Sequence, residues 1–129
     1  MTDEPRKVSD RIECHGLFVD PPLAHVGMTE AEVRKTGRPA LVGVRPMTKV
    51  GRATEKGETL GMMKVLVDAE SRKILGSTIL GVGGDEAIHS IIAAMYAEKT
   101  ADFMTHSVYI HPTVAELIPT VFGELKPLV

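Results

Sequence analysis

Apolar and polar positions alternate along this chain in two different rhythms. From Leu60 to Asp68 and again from Lys73 to Gly81 the residues are strand-like, and the polar stretch Ala69-Glu70-Ser71-Arg72 joins them. Two such runs with a short polar connection predict a hairpin. Lys64 is flanked by apolar residues, which suits a strand with one solvated face. From Asp85 to Lys99 the rhythm changes. Ile88, Ile91, Ile92 and Met95 recur at helical spacing and predict a helix with one apolar stripe. Near the C-terminus Val114, Leu117, Ile118, Val121 and Leu125 repeat the helical spacing, which predicts a helix over 112–125 with Pro112 at its first position.

Shorter signals fill the remainder. Gly16 to Val19 is a strand candidate, closed by Asp20-Pro21-Pro22. Thr29-Glu30-Ala31-Glu32 opens a helix to Lys35, with Thr29 as its cap and Gly37 as its left-handed end. Ala40 to Met47 reads as a valine-rich strand. Val50 to Gly57 is short enough for a single helical turn, and Thr100 caps a turn to Met104. No repeat and no low-complexity segment is present. The order of elements predicts an α+β fold, an antiparallel sheet with helices packed on one face. Residues 1–9 are polar, mixed in charge and read as a flexible arm; 10–129 read as a single domain.

Composition narrows the function. A chain of 129 residues with 43% apolar content fits one core without staples. Net charge is −2 with no basic stripe, which argues against nucleic acid as a partner. Cys14 is the single cysteine, so no internal disulfide is available. No apolar run is long enough to span a bilayer and no leader peptide is visible, so the expectation is a cytoplasmic protein without a membrane partner. The neighbours Cys14 and His15 have poor geometry for a shared metal ion, and no metal site is expected. The loop Gly81 to Gly84 precedes a helix, yet its spacing matches neither the dinucleotide fingerprint nor the Walker loop. It reads as a hinge. His89 lies off the apolar stripe and reads as a surface or interface residue.

The chemistry concentrates at His111-Pro112-Thr113-Val114-Ala115-Glu116. Glu116 stands close enough in sequence for its carboxylate to reach back to the imidazole. A carboxylate on one ring nitrogen fixes the tautomer, orients the ring and favours the charged form. That arrangement builds a general acid–base histidine. The spacing equally suits a histidine that caps a helix beside a solvated glutamate.

This hexapeptide resembles the C-terminal motif of the flavin-dependent pyridine nucleotide–disulfide oxidoreductases, which include glutathione reductase, lipoamide dehydrogenase and mercuric reductase. Val108 to Thr113 is similar to the glutathione reductase form, with Tyr109 where lipoamide dehydrogenases usually carry a second histidine. The stretch Phe18 to Glu30 resembles the family's entry into its last domain. Gly51-Arg52-Ala53, Gly61 to Val65 and Ile74-Leu75-Gly76 resemble its middle strands. The likeness runs from about Asp10 to the end and covers only the family's C-terminal dimerisation (interface) domain. It implies a homodimer in which His111 and Glu116 are supplied to the partner subunit's active site. It implies that Pro112 rigidifies the approach to the cofactor and that Thr113 supports the turn behind it. It also implies FAD and NAD(P) in the full-length family, held by domains this chain lacks. No Gly-x-Gly-x-x-Gly and no redox-active cysteine pair occurs here, so no cofactor is expected on this chain alone. A stand-alone, non-catalytic dimerisation or docking module is the other reading.

Overall fold

The computed structural model describes residues 4–129. The first three residues of the expected arm lie outside the described residues. Six strands form one antiparallel sheet in the order β1-β2-β5-β4-β3-β6. They are β1 Cys14–Leu17, β2 Leu23–Gly27, β3 Ala40–Pro46, β4 Met62–Asp68, β5 Ile74–Leu80 and β6 Lys126–Pro127. The helices are α1 Glu30–Lys35, α2 Gly51–Glu55, α3 Gly84–Tyr96, α4 Ala101–Thr105 and α5 Ile118–Gly123. This is the α+β architecture that the alternation of rhythms predicts.

The hairpin β4–β5 is the centre of the sheet. Its connection is set by Asp68, a buried carboxylate whose Oδ1 accepts from the Ser71 N–H at 2.7 Å, the Ser71 hydroxyl at 2.9 Å and the Glu70 N–H at 3.1 Å. Those donors hold the Asp68 carboxyl below the usual carboxylate range, with Arg38 adding to the effect. Met63, Val65 and Val67 of β4 point to one face and join Ile79 of β5, Ile88 and Ile91 of α3, Met104 of α4, and Ile118, Val121 and Phe122 of α5 in the main core. At Gly43 of β3 a Cβ would collide with the Val121 carbonyl, so the missing side chain lets α5 lie directly on the sheet.

Alternation sends Leu66 to the opposite face. There it meets Val33 of α1 and Ala40, with Val42, Leu75 and Leu128 around them, in a second, smaller cluster. Most helices thus share one face, while α1 covers part of the other. Its ends follow the sequence rules. The Glu32 N–H donates to Thr29 Oγ1 at 3.3 Å, and the Thr29 N–H donates to Glu32 Oε2 at 2.8 Å. Gly37 takes φ +67° just past the end. Lys64 and Arg34 both pair with Glu30 and hold it below the usual carboxylate range.

Two strands escape the sequence signals. The apolar run of β2 is interrupted by His25, and β6 is only two residues long. The first strand also sits earlier than Gly16–Val19. Pairing of His15 with His25 fixes its register, and Phe18 and Val19 fall in the exposed turn that follows.

Candidate functional site

The segment after α4 has no regular structure until residue 115. It runs from His106 over the surface, with Val108 97% and Ile110 79% exposed, to a cis peptide bond between His111 and Pro112. A single 3-10 turn, Ala115–Leu117, precedes α5. Pro112 is therefore not the first residue of a long helix. The cause lies in Pro119, which stands in the first turn of α5. Proline has no N–H to give to residue 115, and its ring excludes a helical carbonyl there. The helix starts again at Ile118, and the stretch before it is free to take another shape. The apolar stripe survives the break: Ile118, Val121 and Phe122 are buried, and Val114, Leu117 and Leu125 pack partly against the core.

The break places Glu116 beneath the imidazole. His111 Nδ1 lies 3.0 Å from both carboxylate oxygens of Glu116. The same carboxylate accepts the Thr113 N–H at 3.0 Å, and the Thr113 hydroxyl donates to the Ile110 carbonyl at 2.7 Å. Glu116 thus ties both sides of the cis bond together. The two side chains differ in setting: that of Glu116 is 18% exposed and that of His111 is 80% exposed. The carboxylate is anchored and the imidazole projects. With Nδ1–H donating to Glu116, the neutral ring carries its lone pair on Nε2.

The electrostatics follow the same geometry. The Glu116 hydrogen bond, and then its charge, hold the His111 imidazolium above the ordinary value of 6.5; Glu55 of α2 adds a smaller push in the same direction. The His111 and Thr113 donors hold Glu116 below its ordinary 4.5. The arrangement is an exposed imidazole oriented by a fixed carboxylate.

Other sequence candidates lie elsewhere. Cys14 is exposed and shares a groove of about 290 Å³ with Phe18, Ile88, His89 and Ile92, between the sheet edge and α3. His89 Nδ1 is 3.3 Å from the Glu86 carbonyl in the first turns of α3. Among the described residues no cluster of three or more His, Cys, Asp or Glu side chains is placed to hold a metal ion. The glycines at 81–84 serve packing. A Cβ at Gly84 would press on Ile79, and Gly83 lies against Val114, directly behind the His111 segment. Neither the charge of Glu55 near His111 nor the packing of Gly83 against Val114 could be read from spacing, because each joins distant parts of the chain.

Residues 15–122 match the family model described as the pyridine nucleotide-disulphide oxidoreductase, dimerisation domain. The chain belongs to this family. The match takes in strands β2 to β5, most of β1 and the His111–Glu116 pair. The chain is 35% identical over 99 residues to a dihydrolipoyl dehydrogenase of Rhizobium etli, covering 77% of this chain and 21% of that protein. It is 30% identical over 112 residues to the probable pyridine nucleotide-disulfide oxidoreductase RclA of Escherichia coli, covering 87% and 25%. The solved structure described as HOCl-induced flavoprotein disulfide reductase RclA from Escherichia coli superposes with a TM-score of 0.89 at 29% identity, over 94% of this chain and 28% of that one. The chain thus spans about a quarter of the length of the relatives it matches. Among the described residues no helix of this dimerisation domain is long and apolar enough to cross a membrane.

Proposed function

We propose that this dimerisation domain supplies His111 and Glu116 as an acid–base pair to the active site of a flavin-dependent disulfide oxidoreductase, across a two-fold interface. The observation that carries the reading is the contrast within the pair. A buried structural histidine has both nitrogens engaged; His111 has one nitrogen held by an anchored carboxylate and the other directed away from its own fold. Thiolate–disulfide exchange needs a group that exchanges protons near neutral pH, and an oriented imidazole provides one.

Glu116 fixes the ring, and Thr113 fixes Glu116 and the Ile110 carbonyl; Pro112 rigidifies the approach to the cofactor. FAD and NAD(P), where present, belong to the domains that make up the remaining length of the relatives. When bound there they supply the electrons, and this chain supplies the proton path. The purified chain is accordingly colourless. The working assembly is a homodimer in the cytoplasm, with residues 10–129 as its single domain. Exposed Val108 and Ile110 beside the pair favour self-association over a purely monomeric docking module. The dimer buries at least about 1,000 Å². Sedimentation equilibrium checks this: a dimer is expected, and Ile110→Glu weakens it.

The catalytic part is tested by co-expressing this chain with the portion of Escherichia coli RclA that precedes its own matched quarter. Disulfide reduction by NAD(P)H is then followed. His111→Gln is expected to lower turnover by roughly 10²-fold or more, the usual worth of a general acid–base group. Unchanged turnover with His111→Gln contradicts the proposal.

A further inference from the structure

The sheet ends in two different edges. On one side β6 is Lys126–Pro127, and a lysine and a proline are residues that keep an edge strand from pairing further. On the other side β1 has no such protection: from Cys14 to Val19 there is no Lys, Arg, Asp, Glu or Pro. The backbone of β1 is also set to pair. The Gly27 N–H donates to the Glu13 carbonyl at 2.8 Å. In an antiparallel ladder every second pair is hydrogen-bonded, so the next such pairs are His15 with His25 and Leu17 with Leu23. The N–H and C=O groups of Cys14 and Gly16 therefore point away from β2, out of the sheet edge.

A groove runs along the same edge. Cys14 and Gly16 oppose Val26 and Ala24 of the main core, so they lie on the face that α3 covers. Between this edge and α3 a groove of about 290 Å³ is lined by Cys14, Phe18, Ile88 and Ile92. The fold itself does not need a glycine at 16, because a Cβ there would meet nothing nearer than the Phe18 ring at 3.5 Å. Its effect is to leave the groove open beside the free backbone groups. The rim is acidic: Asp85 and Glu86 line the groove and form no ion pair among the described residues. α3 starts against Ile79, in register with Ala24 and Gly16, and its Met95 reaches Gly27 beside the start of β1. The two carboxylates thus stand at the Gly16–Phe18 end of the groove.

We infer that β1 and this groove form a docking site for an extended peptide segment of another protein, which joins the sheet as an added strand. The segment pairs its backbone with Cys14 and Gly16 and places one large apolar side chain in the groove. It carries a basic residue two positions away, against Asp85 and Glu86. Positions two apart on a strand share a face, so both side chains meet α3. In strand addition the main-chain hydrogen bonds hold the segment, and pockets for alternate side chains select its sequence. Charge chooses this occupant over a second copy: the β1 of a copy is flanked by Glu13 and Asp20 and has no cation to offer the acidic rim. The site uses neither His111 nor Glu116, so it stands or falls apart from the acid–base reading.

The test selects a displayed library of random heptapeptides on the immobilised 129-residue chain. The enriched sequences should carry a basic residue two positions from a large apolar one. A synthetic peptide of that sequence should slow hydrogen exchange at the Cys14 and Gly16 amides and leave the His15 and Leu17 amides, already paired with β2, unchanged. Gly16→Pro deletes an outward N–H without touching the β1–β2 ladder and should weaken the peptide roughly tenfold or more. If that variant loses β1, Gly16→Val, which fills the groove, replaces it with the same expectation. Asp85→Asn combined with Glu86→Gln should weaken binding less, and chiefly at low salt. No enriched sequence, or a peptide that binds the Gly16 variant as tightly as the unsubstituted chain, overturns the inference. So does protection of the same amides in the free chain that grows with its concentration, which makes a second copy the occupant.

Discussion

The hairpin β4–β5 and the segment from His106 to Glu116 are built on opposite terms. In the hairpin, Met63, Val65, Val67 and Ile79 are almost fully buried, and the connecting turn is closed by three donors on one carboxylate. In the segment, residues 108–112 join no backbone–backbone hydrogen bond among the described residues, and Val108 and Ile110 stand in solvent. The hairpin is held from all sides. The segment is held from one side, by Glu116 and by the packing of Val114 behind it. A core element spends its side chains on its own fold. A segment that presents a group to another molecule leaves them outside, and its own fold then fixes only the atoms that aim that group.

The contrast predicts a gradient of effects. Phe122→Ala empties a position that is 1% exposed beneath the sheet and should cost about 3–5 kcal/mol in urea unfolding. Ile110→Ala in the monomer should change stability by no more than about 0.5 kcal/mol. If the two cost the same, the segment is part of the core and the contrast fails. Gly43→Ala forces a methyl group against the Val121 carbonyl and should cost about 1–3 kcal/mol, with the exchange protection of α5 lost first. Thr29→Ala removes the cap of α1 and should cost about 1 kcal/mol. The second cluster loosens while the His111–Glu116 distance is unchanged, because α1 lies on the far face.

The same contrast explains what was legible beforehand. Periodicity finds elements whose side chains alternate between core and solvent, and it found β3, β4, β5, α1 and α3 close to their observed limits. It failed where burial does not follow a period. Buried His25 breaks the pattern of β2, because both ring nitrogens are satisfied, one 2.8 Å from Thr78 Oγ1 and one 2.8 Å from the Gly27 carbonyl. The short β6 is defined by pairing with β3 alone. The apolar spacing from Val114 to Leu125 was correct as a statement about which residues face the core. It does not make a continuous helix, because Pro119 has no N–H for residue 115 and restarts the helix at Ile118. The His111–Glu116 pair was legible from residue type and spacing. Its geometry is not that of a helix start: the carboxylate reaches back across a cis bond and an irregular turn. The anchoring by the Thr113 N–H and the nearness of Glu55 carried no local signal.

The smallest energetic effect bears on the central claim. The His111 pKa is raised on folding, so its contribution to stability is complete below the unfolded value near 6.5 and is lost as pH rises through the folded value. The Glu116 pKa is lowered, so its contribution is complete above the unfolded value near 4.5 and is lost as pH falls through the folded value. The pair therefore supports the fold most between those two limits, and Glu116→Gln should flatten the loss of stability on either side of them.

The direct measurement is the titration of the His111 ring protons by NMR in the unsubstituted chain and in Glu116→Gln. Glutamine keeps the shape and removes the charge. The account predicts a midpoint above 6.5 in the unsubstituted chain and a lower midpoint in the variant, with the other histidines unmoved. Equal midpoints in the two forms would mean that Glu116 does not orient or charge the imidazole, and the acid–base pair would not exist.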